Sequence, residues 1–248
     1  MISFIAFIGV FSVIVLVHEC GHFIAAKRFG VKVYEFSIGF PFGPRVFLFK
    51  HKETEFTLRL FPLGGFVSFS KEGDENTGNL FEVSNLNRAL IVSAGSFFNI
   101  IFSFIVFTMV FFIARHLNFI DAIALTAKTM GIILSGTITT ILNIISGKGS
   151  MEAFIGPVGI AVMAGQVANK GILDLLYFSG ILSMSLGIMN FIPFPALDGG
   201  QLFLLLIEAV KKKKLSLKTY QIINSIGFLL FILLTIIVTY KDIIRFIA

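Results

Sequence analysis

The chain has 248 residues, 56% hydrophobic and only 14% charged, with a mean hydropathy of +0.93. A water-soluble domain of that length needs far more polar surface, so the composition excludes a soluble globular protein and points to the lipid bilayer. The net charge of +6 does not indicate nucleic acid, because the basic residues gather at the ends of apolar runs and form no stripe with interleaved polar aromatics.

The first apolar run, residues 2–26, is long enough to cross the bilayer and contains His18, Glu19 and His22. It lacks a basic leading region and a small-residue cleavage site, so it does not read as a removable signal peptide. Residues 31–70 hold many glycines and prolines around short Phe-, Val- and Thr-rich stretches at 45–49 and 55–61, which predicts β-hairpins. Non-helical backbone at membrane depth is tolerated only against protein or a cavity, so this region is expected at the interface or lining a cavity. Residues 71–78 read as a polar turn.

A second span is predicted over 89–114. Residues 121–145 mix apolar positions with Thr, Ser, Asn and Lys, which fits an amphipathic interfacial helix better than a span. Two further spans are predicted over 172–192 and 222–240, the last without an internal charge. The expected fold class is an α-helical integral membrane protein, a single domain over 1–248, with about four transmembrane helices and a membrane-associated β-hairpin region between spans one and two. Basic residues concentrate between spans one and two and at Lys211 to Lys214 and Lys218, so both of those loops are expected in the cytoplasm and both termini outside it.

Ionisable residues inside a span are costly and by default mark function. Here they form His18-Glu19-Cys20-Gly21-His22, the HExxH pattern. Positions i and i+4 share a helix face, so both imidazoles reach one cation, and Glu19 is placed to take a proton from a water there. The bland alternative is a polar kink or packing patch, which the rarity of the pattern in a chain with four histidines disfavours. Cys20 lies roughly 200° around the helix from each histidine and reads as a packing residue. As the sole cysteine it also excludes an internal disulfide framework.

Catalytic zinc takes three protein ligands, so a third donor must come from elsewhere. His51 and His116 lie in or beside loops and read as ordinary polar residues. The best third donor is Asp198, in Asn190-Phe-Ile-Pro-Phe-Pro-Ala-Leu-Asp198-Gly-Gly200. Pro193, Pro195, Gly199 and Gly200 break a helix at this depth and free backbone groups to line a cavity. Alone, this segment reads equally well as a turn between spans; paired with HExxH it favours a ligand. Two histidines and a carboxylate also suit iron or cobalt.

HExxH in the first span with NxxPxPxLDGG in a late one resembles the site-2 protease family of intramembrane metalloproteases, in its bacterial branch. Phe61-Pro-Leu-Gly-Gly-Phe-Val67, Ala94-Gly-Ser-Phe-Phe-Asn99 and Gly156-Pro-Val-Gly159 are similar to that branch as well. The resemblance implies Zn2+ held by His18, His22 and Asp198, with Glu19 as general base. It implies that Asn190 contacts the substrate backbone or the developing oxyanion. Gly64, Gly65 and Phe66 would belong to a β-region that engages an unwound substrate strand by edge pairing. The implied activity is hydrolysis within or near the transmembrane segments of single-span proteins, such as anti-sigma factors or signal-peptide remnants, at a bacterial inner membrane. Members of that branch usually carry one or two PDZ domains between the second and third spans, and residues 115–121 leave no room for one. Two other readings are a metal-binding transporter or channel, since ion paths also use intramembrane His and Asp, and an inactive relative that only binds membrane proteins.

Overall fold

In hydrocarbon every backbone polar group must find its partner within the protein. The described residues do so with seven α-helices and one small sheet. A computed structural model describes residues 2–39, 44–59, 64–70, 79–149 and 155–246; the turn expected over 71–78, and Pro41, Gly43 and Pro62, lie outside them. In chain order come α1 (Ile2–Arg28), β1 (Glu35–Ile38), β2 (Arg45–His51), β3 (Thr54–Arg59), β4 (Gly65–Ser68) and a 3-10 turn (Asn79–Phe81). Then follow α2 (Asn85–Ala114), α3 (Phe119–Ile145), α4 (Pro157–Ala168), α5 (Ile172–Met189), α6 (Asp198–Lys211) and α7 (Leu217–Phe246).

Local chemistry sets several starts. Ser84 caps α2 by accepting the Asn87 N–H at 3.2 Å, and Asn118 caps α3 by accepting the Asp121 N–H at 2.9 Å. Pro157 opens α4 at a position whose N–H has no intrahelical partner anyway.

Five helices, α1, α2, α3, α5 and α7, are long and apolar enough to cross a membrane, one more than the sequence reading expects. The addition is α3, read above as interfacial. Its polar residues are mostly uncharged, Asp121 and Lys128 aside, so they lower its hydropathy to 1.4 without excluding a bilayer. The short helices α4 and α6 were not anticipated.

The sheet has the order β2-β3-β1-β4. Among the described residues only β2 and β3 form the expected kind of hairpin, turning at Lys52, whose φ is +53°. β1 runs parallel to β3 and antiparallel to β4, a crossover that short-range turn signals do not reveal.

Helix α2 is central and touches α1, α3, α5 and α6. It runs antiparallel to α1, with His22 beside Ile91 and His18 beside Asn99. It is antiparallel to α5 too, with Ser103 bonded to Gly180 and Ser183 to Asn99. Glycine permits these approaches, since a Cβ on Gly21 would lie 2.5 Å from the Ala94 carbonyl oxygen and one on Gly187 3.0 Å from that of Ser96.

One end of the bundle is tied by a buried ion pair. Arg88, 3% exposed, donates to Glu208 at 2.8 Å and to the Tyr220 hydroxyl at 3.1 Å, and stacks over Phe81. Glu208 in turn accepts the Leu215 N–H at 2.8 Å, so α2, α6 and α7 are joined there. At the other end α4 bridges both termini. A Cβ on its Gly165 would overlap Ser3, and its Gly159 N–H donates to Asp242 of α7 at 2.7 Å.

Candidate metal centre

His18 and His22 sit one turn apart on the face of α1 that meets α2. Gly95 of α2 lies directly against both rings. A Cβ there would overlap His22 Nε2 and stand 2.8 Å from His18 Cε1, so only glycine leaves the imidazoles room.

Asp198 arrives from the broken segment between α5 and α6. Asn190 caps α5, and two prolines that donate no N–H then stop the helix. Ala196 takes a left-handed φ of +77°, and the Gly199 N–H returns to the Asn190 carbonyl at 2.6 Å, which closes the break into a loop. Side chains at Gly199 or Gly200 would overlap the backbone of Phe191–Ile192 or Phe194. The loop delivers Asp198 as the first residue of α6, where the helix dipole favours a carboxylate.

The three side chains converge. His18 Nε2 is 3.2 Å and His22 Nε2 3.5 Å from Asp198 Oδ2, and the two imidazole nitrogens are 3.1 Å apart. Tetrahedral zinc with bonds of 2.0–2.1 Å places its ligand atoms about 3.3 Å from one another. The spacing therefore fits zinc, and among the described residues this is the group of His, Cys, Asp and Glu side chains able to hold a metal.

Groups around these three side chains set their orientation. The His22 Nδ1–H donates to the Ile91 carbonyl at 2.9 Å, which leaves the Nε2 lone pair facing the centre. The Ser96 hydroxyl donates to Asp198 Oδ2 at 3.3 Å. The Asn99 amide stands 3.4 Å from His18 Nδ1, and its buried oxygen has no partner among the described residues. A carboxamide is nearly the same shape end for end, so the orientation that satisfies both groups has Oδ1 accept the His18 Nδ1–H.

Of the other predicted residues, Glu19, Gly65, Phe66 and Asn190 line a cavity of about 350 Å3 together with His18, His22 and Asp198. Asn190 Nδ2 is 3.5 Å from His18 Nε2. Strand β4 passes close to Glu19, for a Cβ on Gly65 would lie 2.8 Å from Glu19 Cγ. Gly64 does not line the cavity; its carbonyl accepts the Gly39 N–H at 2.7 Å. His51 ends β2, His116 lies in the α2–α3 turn, and Cys20 lines a separate apolar cavity with Phe23, Phe36 and Phe56. Sequence reasoning assigned no role to Gly95, Ser96 or Asn99. A glycine and an amide four residues apart inside an apolar span were the available signal.

A partly buried cluster of two histidines and a carboxylate, with a glutamate beside it and apolar helices around it, fits a membrane metallopeptidase. The chain belongs to peptidase family M50, which it matches over residues 6–234. It is 30% identical, over 324 aligned positions, to a protein of Clostridium perfringens named as a zinc metalloprotease, with 94% of this chain and 96% of that one covered. The regulator of sigma-W protease RasP of Bacillus subtilis is 23% identical over 415 positions, covering 97% and 98% of the two chains. The chloroplastic membrane metalloprotease ARASP of Arabidopsis thaliana is 28% identical over 349 positions, covering 95% and 77%.

These alignments are longer than the 248 residues of the chain, so the relatives carry stretches without a counterpart in it. Residues 115–118, which alone join α2 to α3, cannot hold a PDZ domain. The protein is a multi-pass integral membrane zinc metalloprotease that lacks the inserted PDZ domain. The transporter and inactive-relative readings are not favoured by this membership.

Proposed function

We propose that His18, His22 and Asp198 hold the catalytic zinc, that Glu19 is the general base and Asn190 the oxyanion donor, and that the substrates are single-span membrane proteins. The observation that carries the ligand set is the 3.1–3.5 Å triangle of donor atoms, completed by a carboxylate that the broken α5–α6 segment brings to α1. Bound zinc supplies a Lewis acid that polarises the scissile carbonyl and acidifies water. Glu19 takes the proton of the attacking water on a carboxylate oxygen and returns it to the leaving nitrogen. The Asn190 amide donates to the oxygen that gains charge, an interaction worth roughly 3 kcal/mol. Gly65 and Phe66 sit on the end strand of the sheet, so their backbone is available for pairing with an unwound substrate.

His18 stands ten residues before Arg28, hence about 15 Å from the basic end of the bundle. That end, with Arg28 and Lys211 to Lys214, faces the cytoplasm on the charge rule, and α4 supports placing both termini together on the opposite side. Helix α3 starts at that same opposite side. Gly156, packed on Val238 and Asp242, lies there too, and the ten residues 146–155 are too few for a spanning helix to return. Both ends of α3 are therefore assigned to the non-cytoplasmic side of a bacterial inner membrane, so α3, though long enough, does not cross it. The name of the Bacillus relative, regulator of sigma-W protease, supports anti-sigma factors as one substrate class and leaves signal-peptide remnants as another.

The test is Glu19→Gln. The purified variant keeps its zinc and loses cleavage of a single-span test substrate; cleavage that survives the change removes Glu19 as the base.

A further inference from the structure

The cavity that holds the metal ligands does not end with them. A second cavity of about 380 Å3 adjoins it, and Phe66, Val67, Phe69, Leu80, Val92 and Gln201 line both. This extension runs to Arg88 and Tyr220, at the basic end of the bundle. Strand β4 forms part of its lining and ends the sheet, so the outer edge of β4 has no strand partner among the described residues. Helices α6 and α7 contribute the carboxamides of Gln201, Gln221 and Asn224. None of the three makes a side-chain hydrogen bond among the described residues.

The chemistry of this lining selects its ligand. The charge of Arg88 is already matched by Glu208 at 2.8 Å, so the extension presents no uncompensated cation for a phosphate or lipid headgroup. A carboxamide offers donors and an acceptor together, as does a main-chain peptide group. An unwound peptide has lost its intrahelical hydrogen bonds and needs both kinds of partner in a low-dielectric setting.

Beyond the edge pairing already assigned to β4, we propose that the Gln201, Gln221 and Asn224 amides make this extension a subsite for the extended stretch of substrate between the scissile bond and the basic end of the bundle. The assignment rests on the protease reading above. The distance from the histidines to Arg28 is six to ten helical residues, about 9–15 Å, which about three to five extended residues span.

The experiment places a benzophenone amino acid at position 224 of the full chain carrying Glu19→Gln, and irradiates it with a single-span test polypeptide. Cross-links are expected within about five residues of the cut site on the basic-end side. Cross-links confined to the other side, or none while the polypeptide still copurifies, overturn the subsite. Independently, Gln221→Leu with Asn224→Leu in the otherwise native chain is expected to raise KM about tenfold, with zinc content unchanged. An unchanged KM overturns the proposal as well. Zinc-dependent cleavage by the native chain separates the two ideas: if it is present, a failed cross-link sinks only the subsite, and if it is absent, the protease reading falls first.

Discussion

Replacing Asn99 with alanine removes the acceptor for the His18 Nδ1–H and leaves the rest of its surroundings in place. The Ser103 and Ser183 hydroxyls reach the main-chain oxygen of Asn99, at 2.9 and 3.0 Å, and that oxygen survives the substitution. The helix junction is therefore expected to hold while His18 loses the partner that orients its ring. Removing such an outer partner of a metal-ligating histidine costs about 10- to 100-fold in metal affinity, or about 1.4–2.7 kcal/mol. Competition against a chelator of known affinity, with zinc counted by mass spectrometry on detergent-purified protein, reads that range directly. Asn99→Asp keeps an acceptor and is expected to recover most of the loss. If Asn99→Ala binds zinc as tightly as the native chain, the assigned orientation of His18 is wrong.

Gly95→Ala is expected to abolish zinc binding outright, because the added methyl occupies the place of His22 Nε2; metal content and cleavage should fall together. Arg88→Leu strands Glu208, which is 1% exposed, as an unpaired buried charge, at about 3–5 kcal/mol of stability. The double change to Leu at 88 and 208 should recover much of the fall in the thermal midpoint measured in detergent, and a double variant no better than the single one contradicts the pairing argument.

The chemistry was more legible in the chain than the architecture. His18, Glu19, His22 and Asp198 stood out because charge inside an apolar run has few structural uses, and Pro193 and Pro195 announced a broken helix by removing donors. Ser96, Gly95 and Asn99 carry no such signal, because small and amide residues in a span serve packing as readily as a metal site. Helices α4 and α6 were missed for a different reason. At 12 and 14 residues they are too short to register as spans, and their limits are set by tertiary contacts such as Asp242 on Gly159 and Glu208 on Leu215. The parallel pairing of β1 with β3 joins residues about twenty apart, beyond what turn composition encodes. For α3, length and apolarity suffice to cross a membrane, but with both ends assigned to one side the interfacial reading from its Thr, Ser and Asn stands as the proposal.

The most direct test of the central claim pairs two readouts on one detergent-purified sample: metal content, and cleavage of a single-span substrate before and after chelation. The account predicts about one zinc per chain, cleavage lost on chelation and restored by zinc alone. Protein handled without chelator that carries no stoichiometric metal, yet cleaves whether or not a chelator is present, would contradict it.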